Sequence, residues 1–351
     1  MKIIKYLIAC SLISVLAVSC EKGLDPIIGV DPKPDVTAPE VVINYPVEGK
    51  PFVSPDEIAT ITFKVVAEDD VELRSVSLVL DGEEIALLTD FTDYRRLDLK
   101  YDYANMTAGD HSLTVTVYDL TDKTATATVN FSKVTAPVYI PLDGEVLYLP
   151  LDGFFLDLIT GNEVTIVGTP GFTGGKVNDC YAGAADAYMT YPTSGLLGTE
   201  FGLSFWYKIN ADPLRAGILA ISPVGDSRNY GFRFFRENSG ADQNLGLNIG
   251  DGTAEVWMNP FVKVAPDRDW VHIAMSISTT MATFYIDGQV VLETELTAGI
   301  DWTGCDGLTI GSGMPNFVYW EHFSDLSLYD EIHIFKRAIT AAEVLSLYEV
   351  K

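Results

Sequence analysis

Long stretches of this chain alternate apolar and polar side chains with a period of two. The pattern is clearest at Leu113, Val115 and Val117, and it recurs over residues 41–45, 58–67, 75–80, 84–88, 97–103, 111–118 and 124–131. Alternation of this kind places every second side chain on one face of a β-strand. Asp81-Gly82 separates two of the runs and suits a tight type I′ hairpin turn. About seven strands in roughly 100 residues, with no helical period among them, predict an immunoglobulin-like β-sandwich. Its span is residues 38–135, and it lacks the inter-sheet cysteine pair of antibody domains. The acidic pairs Asp69-Asp70 and Glu83-Glu84 are expected to be loop charges rather than metal ligands.

After Pro137 and Pro141, which mark a boundary, the alternation resumes and fills residues 136–351. Phe201, Leu203, Phe205, Tyr207 and Ile209 form one face of a strand, and Gly202, Ser204, Trp206 and Lys208 the other. Val271, Ile273, Met275 and Ile277 repeat the arrangement, with Trp270, His272 and Ser276 opposite. Phe284 and Ile286 point inward, so Tyr285 points outward, and Asp287-Gly288 turns the chain. A second, larger sandwich follows, whose other faces are expected to meet solvent or a concave groove. One short helix is predicted at the end, where Thr340-Ala341-Ala342-Glu343 forms a capping box before Val344, Leu345 and Leu347.

The first residues have a different character. Lys2 and Lys5 precede an apolar run from Tyr6 to Val18, and the small residues Ala17 and Ser19 lead to Cys20. This layout resembles a bacterial lipoprotein signal, which implies removal of residues 1–19 and lipidation of the Cys20 thiol. The chain would then touch a membrane only through that lipid, either at the cell surface or on the periplasmic face of the outer membrane. Residues 20–37, with Pro26, Pro32 and Pro34, read as an extended tether. No later apolar run approaches membrane-spanning length. A formal charge of -26, shared by both halves, excludes nucleic acid and other polyanions as natural partners. Cys180 and Cys305 are the remaining thiols of such an exported chain, either bridged as a disulfide or buried separately.

A series of motifs in the second sandwich gives it a resemblance. They run from Leu149-Pro150-Leu151-Asp152-Gly153 through Gly202-Leu203-Ser204-Phe205-Trp206, Trp270-Val271-His272-Ile273-Ala274 and Phe284-Tyr285-Ile286-Asp287-Gly288. Leu308-Thr309-Ile310-Gly311 and Asp330-Glu331-Ile332-His333-Ile334-Phe335 complete the set. Together they resemble the laminin-G-like, concanavalin A-like lectin/glucanase jelly roll. Asp35-Val36-Thr37-Ala38-Pro39 resembles the start of bacterial immunoglobulin-like spacer modules. The segments 231–237 and 301–306 are similar to those of surface lipoproteins from Bacteroides-type bacteria. The jelly-roll resemblance implies a binding module for glycan or polysaccharide, displayed beyond a spacer and working beside partner proteins of a surface uptake complex. It also implies a structural Ca²⁺ held by Asp152 and Asp330, the alternative being solvated turn aspartates.

Sugar rings stack on exposed aromatic planes, and amides, carboxylates and guanidinium groups read their hydroxyls. Trp257, Trp302, Trp320 and Tyr319 in polar or loop-like segments are therefore the candidate platform. Arg233 and Asn248, on the non-core side of their strands, are the candidate hydroxyl readers. Trp206 and Trp270 read as structural. No alternating string of acids of the glucanase type occurs, and four scattered histidines carry no hydrolase signature. The expectation is non-catalytic glycan binding; an adhesion module for protein is the first alternative and a glucanase-type glycoside hydrolase the second.

Overall fold

A computed structural model describes residues 34–349. The expected signal peptide, Cys20 and most of the tether lie outside these residues. By compactness the chain divides into two units. The first comprises the chain up to Glu48 with Thr62–Asp102 and His111–Asn130; the second comprises Phe131–Lys351 with Gly49–Ile61 and Tyr103–Asp110. Among the described residues no helix is long and apolar enough to cross a membrane.

The immunoglobulin-like part has eight strands. Glu40–Tyr45, Ile58–Glu68 and Arg96–Thr107 make one sheet, ordered as named. The other runs Pro51–Ser54, Thr124–Thr135, Gly109–Asp119, Leu73–Leu80, Glu83–Leu88. Pro51–Ser54, too short to show a period, is the strand that alternation did not reveal; it pairs in parallel with Ser132–Thr135. The predicted turn is present, with φ of 52° at Asp81 and 87° at Gly82, as a type I′ turn requires. Asp69 lies in the loop after Ile58–Glu68, as expected, yet it is only 8% exposed. Its Oδ1 accepts the backbone N–H groups of Val71 and Glu72, which draws the side chain in beneath its own turn.

The second sandwich has two eight-stranded antiparallel sheets. The front sheet contains Tyr188–Pro192, Gly307–Ile310, Arg215–Ile221, Phe232–Ser239, Asp242–Gly250 and Glu255–Trp257 in that order. The back sheet centres on Leu328–Phe335, Phe201–Lys208, Val271–Ile277 and Met281–Ile286. Phe201, Leu203, Phe205 and Tyr207 meet Phe232, Phe234, Leu247 and Ile249 in one core between the sheets. Each such side chain contributes about 1.5–3 kcal/mol by leaving water.

Neither outer face is bare, contrary to the expected solvent or groove. The helix Ala341–Glu349 packs Val344 and Leu347 over the back sheet with Tyr285, Phe335 and Ala274. Tyr285 does point outward, into this second small core. The capping box forms as predicted: Thr340 N–H donates to Glu343 Oε2 at 2.7 Å, and Glu343 N–H to Thr340 Oγ1 at 3.3 Å. Residues 312–324 cover part of the front sheet. Gly217 and Gly313 permit that approach, since a Cβ on Gly217 would lie 2.1 Å from Gly313 N.

Cys180 and Cys305 are free and buried, so the bridged alternative does not form. Cys180 lies in a back-sheet strand, Asp179–Ala182, whereas Cys305 sits in the loop leading to the front-sheet strand Gly307–Ile310. Burial pushes both thiols up to about 12, which leaves them protonated and inert.

Candidate functional site

The strand Phe232–Ser239 alternates across the front sheet. Phe232 and Phe234 enter the main core, which turns Phe235 to the outer face. Phe235 is 1% exposed and carries a layer of rings from separate segments. Trp257, Phe261, Phe317 and Trp320 all have ring centroids within 6.1 Å of it, mostly edge-on. His322 lies between Phe235 at 4.4 Å and Phe317 at 4.9 Å. Burial pushes its pKa down to about 3, so a neutral imidazole fills the gap.

Above this base, Trp257 and Trp320 stack at 5.1 Å and 29°. Tyr319 meets Trp320 edge-on at 5.2 Å, and Phe261 lies 6.0 Å from Trp257. These four rings are half-buried: their inner sides rest on Phe235 and Phe317 while part of each faces water. The Arg228 guanidinium sits 5.4 Å from the Trp320 ring and pairs with Asp226 and Glu255, each at 3.0 Å. Stacked rings edged by an arginine and two carboxylates can take a sugar face and offer donors and acceptors to its hydroxyls.

Arg233 and Asn248 have no exposed surface, so they cannot meet a ligand directly as expected. Their side of the sheet is the outer one, but loops cover it. Arg233 donates to Asn248 Oδ1 at 3.2 Å and to the carbonyls of Ser227 and Arg228 at 3.1 and 3.5 Å. Asn248 Nδ2 donates to Glu255 Oε2 at 3.2 Å. The buried pair thus holds the backbone beneath Arg228 and the carboxylate beside it. Arg215 donates to the Trp320 backbone carbonyl at 2.9 Å, which holds that stretch of backbone in place.

Trp302 does not join the group. Its Nε1–H donates to Gly198 O at 2.9 Å, and its ring packs 5.6 Å from Phe201 against the main core. Of the three candidate tryptophans, the fold brings two together and uses the third to close the sandwich. Phe261 and Arg228 were not singled out from sequence. Phe261 follows Asn259-Pro260 only four residues after Trp257, a local signal that was available; Arg228 carries none.

Covering residues 312–324 are pinned by a buried ion pair just after them. Arg236 Nη2 lies 2.9 Å from Asp325 Oδ1, and neither side chain has exposed surface. Tyr207, Tyr329 and Ser327 also donate to that carboxylate, and Gln243 accepts from Arg236. A pair so fully hydrogen-bonded offsets its desolvation.

Asp152 and Asp330 stand apart from the aromatic site. Asp330 Oδ2 accepts the backbone N–H groups of Lys176 and Val177, while Asn178 donates to Asp152 Oδ2 at 3.1 Å. Oδ1 of each is buried without a hydrogen-bond partner. Burial, opposed by the backbone N–H groups and reinforced by Asp152, pushes Asp330 up to about 7; burial also raises Asp152. Two orphaned carboxylate oxygens in one charge-coupled corner fit a hard divalent cation.

The family of concanavalin A-like lectins/glucanases matches residues 183–345, and a bacterial Ig domain family matches residues 39–115. The chain therefore carries one domain of each kind. No curated protein matches it in sequence. Among solved structures it is similar to domain 4 of AbnA, a GH43 extracellular arabinanase from Geobacillus stearothermophilus, solved with arabinotriose. That likeness has 17% identity and a TM-score of 0.47, over 58% of this chain and 98% of the other. The binding domain of botulinum neurotoxin serotype C1 gives 14% identity and a TM-score of 0.45, over 59% of this chain. This chain spans about half of that domain, 52%.

Proposed function

We propose that this chain is a lipid-anchored surface protein whose outer, concanavalin-like domain binds glycan without cleaving it. The observation that carries the reading is the platform of Trp257, Phe261, Tyr319 and Trp320, half-open to water above a fully buried Phe235. Two carboxylates at the platform edge, Asp226 and Glu255, share Arg228 as an ion partner. In this reading they serve as hydroxyl acceptors. An acidic chain favours neutral sugars over uronic acids or sulfated polymers. Asp152 and Asp330 would hold a structural Ca²⁺ that neutralises their corner of the sandwich. Cys20 would carry the anchor, and the immunoglobulin-like domain would serve as spacer.

The test is a polysaccharide panel screened by affinity electrophoresis and glycan array with the detergent-solubilised full chain. Binding should weaken at least about tenfold in Trp257→Ala and Trp320→Ala, roughly the loss of one good stacking contact. Trp302→Ala should leave binding unchanged wherever it folds. Uniformly negative screens would sink the glycan reading and leave a protein ligand for the same aromatic surface. Release of reducing ends would overturn the non-catalytic part.

A further inference from the structure

Three carboxylates from distant parts of the first unit meet at one point. Asp35 precedes the first strand, Asp69 follows the strand Ile58–Glu68, and Asp119 ends the strand Gly109–Asp119. One oxygen of each lies within 4.8 Å of the others. All three are withdrawn from water: the Asp35 side chain is 5% exposed, Asp119 has no exposed surface, and Asp69 is 8% exposed. Asp69 and Asp119 use Oδ1 in the same way, each accepting backbone N–H groups of the turn that follows it. Their Oδ2 atoms differ. Asp119 Oδ2 accepts from Lys123 Nζ at 2.9 Å, as does Asp35 Oδ1. Asp69 Oδ2 is buried and has no hydrogen-bond partner.

A single ammonium therefore faces three buried carboxylates, and two negative charges remain uncompensated. Buried carboxylates so close together are stable only with matching positive charge, and the deficit equals that of one divalent ion. The donors are all hard oxygens, with no thiol or imidazole among the three, which selects Ca²⁺ over softer metals.

We propose that Asp35, Asp69 and Asp119 form a divalent-cation site of the Ca²⁺ type, in which the Lys123 ammonium competes with the ion. The lysine is 29% exposed at its side chain and has a path outward to solvent. With the ion bound, Asp35 would fasten the beginning of the sandwich, next to Thr37-Ala38-Pro39, to two loops of the same unit. The site is independent of the glycan reading and of the Asp152–Asp330 corner.

Isothermal titration of Ca²⁺ into the full chain tests it, with Asp330→Asn present throughout to silence the other corner. Removing the competing charge in Lys123→Met should tighten binding about tenfold, and Asp69→Asn should weaken it about tenfold, as a change of one ligand charge does at such sites. Asn keeps the Oδ1 acceptor of the turn, and Asp35→Asn outside the strands serves where Asp69→Asn fails to fold by circular dichroism. Absence of binding heat in both the Asp330→Asn chain and its Lys123→Met derivative overturns the proposal. So does binding that neither Asn variant weakens. Glycan binding is read separately, so failure here leaves that reading standing.

Discussion

The two outer faces of the concanavalin-like domain are built from the same materials and end differently. On the back sheet, Trp206 lies 5.1 Å from His272 and 5.6 Å from Tyr348, with Lys176 4.5 Å from its ring. On the front sheet, Trp320 lies 5.1 Å from Trp257 with Arg228 near its ring, and His322 fills the space below. Each face has a tryptophan, a buried histidine and a cation. A regular helix covers the first and leaves Trp206 4% exposed. An irregular segment covers the second and leaves its tryptophans half-open. A helix presents a continuous apolar stripe and closes over rings; a loop held at a few points does not. What covers a surface, more than which residues line it, separates a core from a binding platform.

The strongest way to break this contrast is to release the covering segment. Asp325→Ala leaves Arg236 buried without its ion partner and removes the carboxylate that accepts from the hydroxyls of Tyr207 and Tyr329. Urea unfolding should show a loss of about 3–5 kcal/mol, the usual cost of breaking a buried pair. Glycan binding should fall with it, because Trp320 loses its support. Wild-type stability in this variant would mean the ion pair holds nothing.

Acid tests both faces at once. Burial pushes His272 and His322 from 6.5 down to about 3, so the folded chain keeps both neutral while the unfolded chain protonates near 6.5. Stability is therefore lost as pH falls from about 6.5 towards 3, by about 1.4 kcal/mol per pH unit for each histidine, and nothing is gained above 6.5. His272→Gln and His322→Gln should each reduce the drop between pH 7 and pH 4.5 in urea melts. An unchanged drop in either variant would show that its histidine is not buried neutral.

A smaller effect isolates the helical cover. Thr340→Ala removes one half of the capping box and should lower stability by about 1 kcal/mol in thermal melts. Glycan binding should stay the same, since the helix serves the back sheet alone. A loss of binding here would erase the distinction between the faces.

Much of the architecture was legible because strand alternation is a local signal. Phe201, Leu203, Phe205 and Tyr207 declare their inward face, and Asp81-Gly82, Asp287-Gly288 and Thr340–Glu343 declare their turns and cap within a few residues. The candidate platform was legible only in part. Trp257, Trp302 and Trp320 look alike in sequence, each an aromatic in a polar or glycine-rich stretch. Their fates depend on which loops meet, and no spacing records that. Arg233 and Asn248 read as exposed because charge and amide groups are normally solvated; burial becomes affordable only once carbonyls and carboxylates from other segments satisfy them. Asp69 is the loop charge it reads as, but its burial was not legible, its partners in the acidic cluster being thirty-four residues before it and fifty after.

Sequence alone determined that the chain folds as two β-sandwiches ending in one helix, because alternation and turn chemistry act between neighbours. The tertiary structure decided which tryptophans converge, that the two cysteines stay apart, and where carboxylates gather. Those outcomes depend on contacts between residues far apart in the chain, set by how the sheets stack and what lies over them.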